Sequence, residues 1–185
     1  MAWSFEKVAR LFEGQPHLDG VFFFGVDDDV SGLLRTHATA RRATLALKKL
    51  YMAGVCPAYN SANLRDFHGM HGYGAVWEGV IRDGADWVEL TTWNDYNEDS
   101  NLMPFRWKDG WEKQYSDHDE AFLDVTEYYS AWFRTGVLPK ITQDKVYYAY
   151  RNRSKWLRQA WNVKEGKWVD ITSCPFPFDQ IHDDV

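Results

Sequence analysis

The sequence predicts an α/β fold of strand–helix repeats around a parallel sheet, corresponding to about half of a (β/α)8 TIM-type barrel. Apolar strand-like runs alternate with amphipathic helix-like segments along most of the chain, which is the pattern of βαβ units. Four such units fit into 185 residues, whereas eight ordinarily take ~250. The third observation is a strand over residues 87–93, running on into a polar turn, whose two faces differ. Alternation puts Val88, Leu90, Thr92 and Asn94 on one side and Glu89, Thr91, Trp93 and Asp95 on the other. An apolar face against helices and an acidic face lining a pocket are natural for a barrel strand. A compact open α/β sandwich is the competing architecture.

The elements follow in order. Phe5, Val8, Leu11 and Phe12 have helical spacing, with Ser4 as N-cap and Gly14 as stop. After Pro16, residues 18–26 form an apolar run of the kind buried on both faces of a parallel sheet. Asp27, Asp28 and Asp29 follow: at least two belong to a solvated loop or a helix cap, and one, taken as Asp27, is a candidate to face the site. A helix is expected over residues 33–50, with Leu34, Ala38, Arg41, Leu45 and Lys49 on one line. Residues 51–59 read as a second strand stopped by Pro57.

A long polar and aromatic loop then carries Tyr59, Asn60, Asn63, His68, His71 and Tyr73, and it reads as pocket lining. His68 and His71 have the spacing of a metal pair, but no third ligand accompanies them, so no metal and no cofactor are expected. Residues 75–83 form a short helix leading into the strand at 87. That strand breaks at Asn94-Asp95-Tyr96-Asn97, a turn-forming run. A loop with Trp107 and Trp111 precedes a helix over residues 119–134, stopped by Gly136 and Pro139. Residues 145–150 read as a fourth strand, and 156–168 as a hairpin turned by Lys164-Glu165-Gly166-Lys167. The organisation expected is a partial barrel over 1–152, with 153–185 as a connector.

Composition narrows the function classes. A net charge of −6 without a basic run gives no footprint for nucleic acid. No segment approaches ~20 uninterrupted apolar residues, so no membrane-spanning helix is expected, and residues 1–7 lack the pattern of a signal peptide. Trp, Tyr and Phe make up 17% of the chain, enough to fill a core with rings or to line a pocket with flat platforms on which sugars stack. Cys56 and Cys174 fit no metal spacing and leave both free thiols and one disulfide open.

Several segments carry a resemblance. Val88-Glu89-Leu90-Thr91-Thr92-Trp93-Asn94-Asp95-Tyr96-Asn97-Glu98 resembles the VEI-x-TWNDYGES signature of glycoside hydrolase family 71, the α-1,3-glucanases or mutanases. Tyr51-Met52-Ala53-Gly54-Val55-Cys56-Pro57 resembles the family's YMAPVSP strand, and Gly20-Val21-Phe22 its DGIFSW strand. Val76-Trp77-Glu78 is similar to its RWE helix, and residues 135–151 are similar to TGxxPxIT followed by DxxYxxYR. The likeness spans residues 18–152. It implies a (β/α)8 barrel, of which this chain is about the C-terminal half, followed by a β-rich domain that 153–185 would begin if it is not only a connector, a secreted protein, and inverting hydrolysis of α-linked glucan by Asp95 and Glu98. A further acidic residue from the barrel's N-terminal half has no counterpart here. Asn97 stands in place of the family's Gly, and Asp99-Ser100-Asn101 in place of SHY.

The residue chemistry agrees with this resemblance. Inverting hydrolysis needs one carboxylic acid to protonate the leaving oxygen and one carboxylate to activate water. Asp95 and Glu98, three apart around a turn, fit those roles, with Trp93, Asn94, Tyr96, Tyr59, His68, Trp107 and Asp27 as substrate-binding candidates. Against this stands a plain turn in which Asp95 and Asn94 cap and Glu98 is solvated. Glu89, mid-strand, reads as a buried and paired structural residue. The expected partner is a polysaccharide or oligosaccharide, with a missing N-terminal half-barrel or a second copy completing the barrel. A non-catalytic carbohydrate-binding half-barrel and a hydrolase of another α-glycan such as α-mannan are the alternatives.

Overall fold

The computed structural model describes residues 3–26, 29–60, 64–65, 69–98, 100–104, 120–146, 159–162 and 167–170. The chain forms two units, Met1–Tyr147 and Tyr148–Val185. In the first, α1 (Phe5–Gly14) is capped by the Ser4 hydroxyl, which accepts the Lys7 N–H at 3.3 Å, and it buries Val8 and Phe12. It leads to β1 (Gly20–Phe23) and α2 (Val30–Ala46), whose N-cap Asp29 accepts the Gly32 N–H at 2.7 Å. Next come β2 (Leu50–Val55) and a short antiparallel pair, β3 (Tyr59–Asn60) with β4 (Leu64–Arg65). Then follow α3 (Gly69–Asp83), β5 (Trp87–Leu90), a 3-10 turn (Tyr96–Glu98) and α4 (Ala121–Thr135). Gly136, at φ 69°, closes α4 by donating its N–H to the Trp132 carbonyl at 2.8 Å.

β1, β2 and β5 make one parallel sheet in that order, with Phe22 beside Met52 and Met52 beside Trp87. Helices α2 and α3 pack on it, α1 against α2 and α4 against α3. The core lies between sheet and helices: Phe23, Tyr51, Ala53 and Val55 meet Leu33, Ala40, Val76, Trp77 and Val80. The α3–α4 seam is aromatic, with Trp77 stacked on Tyr129 (centroids 6.1 Å, planes 8° apart) and Tyr73 edge-on to Phe122. The Tyr73 hydroxyl lies 2.8 Å from that of Thr126.

Asp86 fixes where β5 begins. Its Oδ2 accepts Arg41 Nη1 at 2.7 Å and the Tyr51 N–H at 2.9 Å, while its own N–H donates to the Tyr51 carbonyl at 3.0 Å. One carboxylate thereby ties α2, β2 and β5 together.

The sheet face away from the helices is apolar and open. Alternation puts Phe22, Met52 and Trp87 there, and Phe22 and Trp87 expose 50% and 59% of their surface. Run 18–26 is therefore not buried on both faces, and its strand is four residues long. Glu89 shares the open face, and its Oε2 is buried with no hydrogen-bond partner among the described residues, where the pairing expected of it is not observed.

Other expectations shift. Helix α2 begins at Val30 and ends at Ala46, earlier than the 33–50 expected. Helix α3 begins six residues before the expected 75, absorbing His71 and Tyr73. β5 ends at Leu90, so Thr91, Trp93 and Asp95 leave the strand's alternation. Lys145 and Val146 are outside any strand, and the rest of the fourth strand, 147–150, lies outside the described residues. In the second unit, β6 (Gln159–Asn162) and β7 (Lys167–Asp170) form the hairpin, with Trp161 opposite Trp168. No helix among the described residues is long and apolar enough to cross a membrane.

Candidate active site

The site is built where the parallel strands end. Thr91 follows β5, and its hydroxyl donates to the carbonyls of Phe24 (2.9 Å) and Val55 (3.4 Å), joining the ends of all three strands. The Thr91–Thr92 peptide is cis. An added Cβ at Gly54 would fall on the carbonyl oxygens of Phe23 and Phe24, so β1 comes this close only because residue 54 has no side chain.

Beyond Thr92 the chain makes a closed loop whose limbs bond to each other. Thr92 N–H donates to Ser100 O (2.7 Å), Leu102 N–H to Thr92 O (2.9 Å) and Met103 N–H to Trp93 O (2.8 Å). The returning limb is anchored, since Ser100, Asn101 and Leu102 are buried and Leu102 belongs to the core. Within the loop the Thr92 hydroxyl accepts the Asp95 N–H at 2.9 Å, and the Ser100 N–H donates to the Asp95 carbonyl at 3.3 Å. The 3-10 turn over Tyr96–Glu98 follows directly. Such a turn has about three residues per turn and a ~2.0 Å rise, so residues three apart share one side.

Asp95 and Glu98 are both partly buried. The Tyr59 hydroxyl, from β3, reaches Glu98 Oε1 at 3.5 Å. Just past the end of β2 sits Cys56, a buried free thiol donating to the Ala58 carbonyl at 2.8 Å. Burial pushes this thiol up to about 12, and the negative charges of Glu98 and Asp95 push it the same way.

Around the pair, Trp93 is 56% exposed and Asn94 is exposed, while Tyr96 is half-buried with its hydroxyl 2.9 Å from Met103 Sδ. Asp27, His68 and Trp107 lie outside the described residues, as does Cys174. His71 is exposed in α3, and no cluster of metal-ligating side chains occurs among the described residues. Sequence reasoning passed over Thr91, Thr92, Ser100 and Cys56. Thr92-x-x-Asp95 was a readable signal, because a threonine hydroxyl commonly accepts the N–H three residues on.

Among curated proteins none matches this chain. Two solved structures of the GH99 endo-alpha-mannosidase from Bacteroides thetaiotaomicron resemble it. One matches with a TM-score of 0.58 at 22% identity, covering 70% of this chain and 42% of that one. The other, in complex with bis-tris-propane, matches at 0.53 and 22%, covering 63% and 40%. The chain thus spans about two fifths of the length of these TIM-barrel glycosidases, and at such identity the likeness establishes the fold. The model of glycosyl hydrolase family 71 matches residues 3–169, nearly the whole chain, and on that match the protein belongs to glycosyl hydrolase family 71.

Proposed function

We propose that the protein is a glycoside hydrolase that cleaves an α-linked glucan, α-1,3-glucan, with Asp95 and Glu98 as its catalytic pair. The observation that carries this reading is the 95–98 turn: two partly buried carboxylates on one braced loop at the C-terminal end of a parallel sheet, one of them reached by the Tyr59 hydroxyl. Active sites of barrel enzymes form at that end. One carboxyl group protonates the departing glycosidic oxygen while the other draws a proton from the attacking water, inverting the anomeric centre. The open indole of Trp93 offers a flat face for a sugar ring, and Asn94, Tyr96 and Tyr59 offer polar contacts. Asp27, His68 and Trp107 complete the proposed substrate contacts on sequence grounds.

A further half-barrel, or a second copy of the chain, is proposed to cover the open sheet face of Phe22, Met52 and Trp87. Residues 1–152 are the barrel part in this reading, and 153–185 a connector or the start of a β-rich domain. Hydrolysis of an α-mannan is the second reading, favoured by the endo-alpha-mannosidase likeness in fold. Carbohydrate binding without turnover is the third.

Reducing-sugar release from α-1,3-glucan and α-mannan, read beside calorimetric binding, separates the three. Release from the glucan is expected, falling about 10²- to 10⁴-fold in Asp95→Asn and Glu98→Gln. Binding without release, or release untouched by both substitutions, overturns the assignment.

A further inference from the structure

We propose that Thr92 is a positioning residue that aims the Asp95 carboxylate through its side-chain hydroxyl, a role that rests on the reading of Asp95 as catalytic. A carboxylate on a loop is normally less well directed than one on a helix or strand. Asp95 is an exception because both of its main-chain polar groups are held. Its N–H is taken by Thr92 Oγ1 at 2.9 Å and its carbonyl by the Ser100 N–H at 3.3 Å. The same Thr92 hydroxyl lies 3.2 Å from Ser100 Oγ and 3.5 Å from Ser100 O, so one oxygen bridges the outgoing and returning limbs of the loop. Ser100 is fully buried, and Leu102 beside it is fixed in the core. The hydroxyl therefore transmits the rigidity of the core to the peptide that carries Asp95. Serine preserves this bridge, whereas valine keeps the bulk of threonine without the oxygen.

Three variants of the protein test it: Thr92→Val, Thr92→Ala and Thr92→Ser. Hydrogen exchange at the Asp95 amide, followed by NMR, is expected to speed up about tenfold in the valine and alanine variants, as for one lost hydrogen bond, and to stay near wild type in the serine variant. On α-1,3-glucan, kcat is expected to fall about 100-fold in Thr92→Val, as for a catalytic group displaced by ~1 Å, with KM nearly unchanged and Thr92→Ser restored. Wild-type exchange at Asp95 in both valine and alanine variants overturns the proposal. So does a serine variant as impaired as the valine one, or a loss confined to KM. If Thr92→Val does not fold, Thr92→Ala carries the same readings. A wild-type protein that releases no sugar counts against the hydrolase reading alone, and the Asp95 amide still decides the role of Thr92.

Discussion

On the helix side of the sheet Phe23, Tyr51, Ala53 and Val55 are buried, while on the other side Phe22 and Trp87 leave half or more of their surface open. Both sets come from alternating positions within one three-stranded sheet. The difference shows that alternation assigns residues to a face without saying what covers that face. Helices α2 and α3 complete one side. On the other, large side chains of the same kinds stand open around a carboxylate with an unpartnered oxygen, a surface of the sort that marks an interaction site.

The sharpest way to break this comparison is to truncate one tryptophan on each side. Trp77→Ala removes a ring packed in the core and is expected to cost about 3–5 kcal/mol by urea denaturation. Trp87→Ala is expected to stay within about 0.5 kcal/mol. Equal losses would mean that the open face is covered within the chain.

A smaller effect comes from His37, buried on the helix side with Nδ1 2.7 Å from the Tyr51 hydroxyl. Burial holds its imidazole down to about 4. The unfolded chain takes up that proton near the ordinary value of about 6.5, so the unfolded state binds more protons between those values. The contribution to stability is present above pH ~6.5 and is lost as pH falls to ~4, in all about 3 kcal/mol. Urea midpoints measured across this range should fall in the wild type and less steeply in His37→Gln. Parallel curves would show that His37 does not titrate this way.

The smallest expected effect is on the open face. Glu89→Gln keeps the shape of a side chain whose buried oxygen makes no hydrogen bond, and stability at neutral pH is expected to stay within about 0.5 kcal/mol. A fall would reveal a cation seated on Glu89.

Much of the helix side was legible in the sequence because its signals are local. Ser4 and Gly136 mark helix ends through their own chemistry. In the second unit, the hairpin of β6 and β7 is likewise visible around Lys164-Glu165-Gly166-Lys167. The first turns of α3 were not legible. Gly69-Met70-His71-Gly72-Tyr73-Gly74 has poor helix propensity, and it is packing that holds it helical, with Tyr73 against Phe122 and Thr126. Gly74 belongs there for a tertiary reason, since an added Cβ would press on the Tyr129 hydroxyl at 2.7 Å. The 95–98 turn was visible in Asn94-Asp95-Tyr96-Asn97. Its bracing was only half visible, because Thr92 announces itself by spacing while Ser100 acts from across the loop. The fate of Glu89 could not be read at all, as pairing depends on what stands opposite.

The Asp86 carboxylate has one more consequence. Sliding β5 by a single residue along β2 would send Trp87 and Glu89 to the helix side and Val88 outward. Such a slip must break the part-buried ion pair to Arg41 and both main-chain bonds to Tyr51. Asp86 thus acts as a proofreader of strand alignment, and it decides which of β5's side chains meet the helices and which stand on the open face.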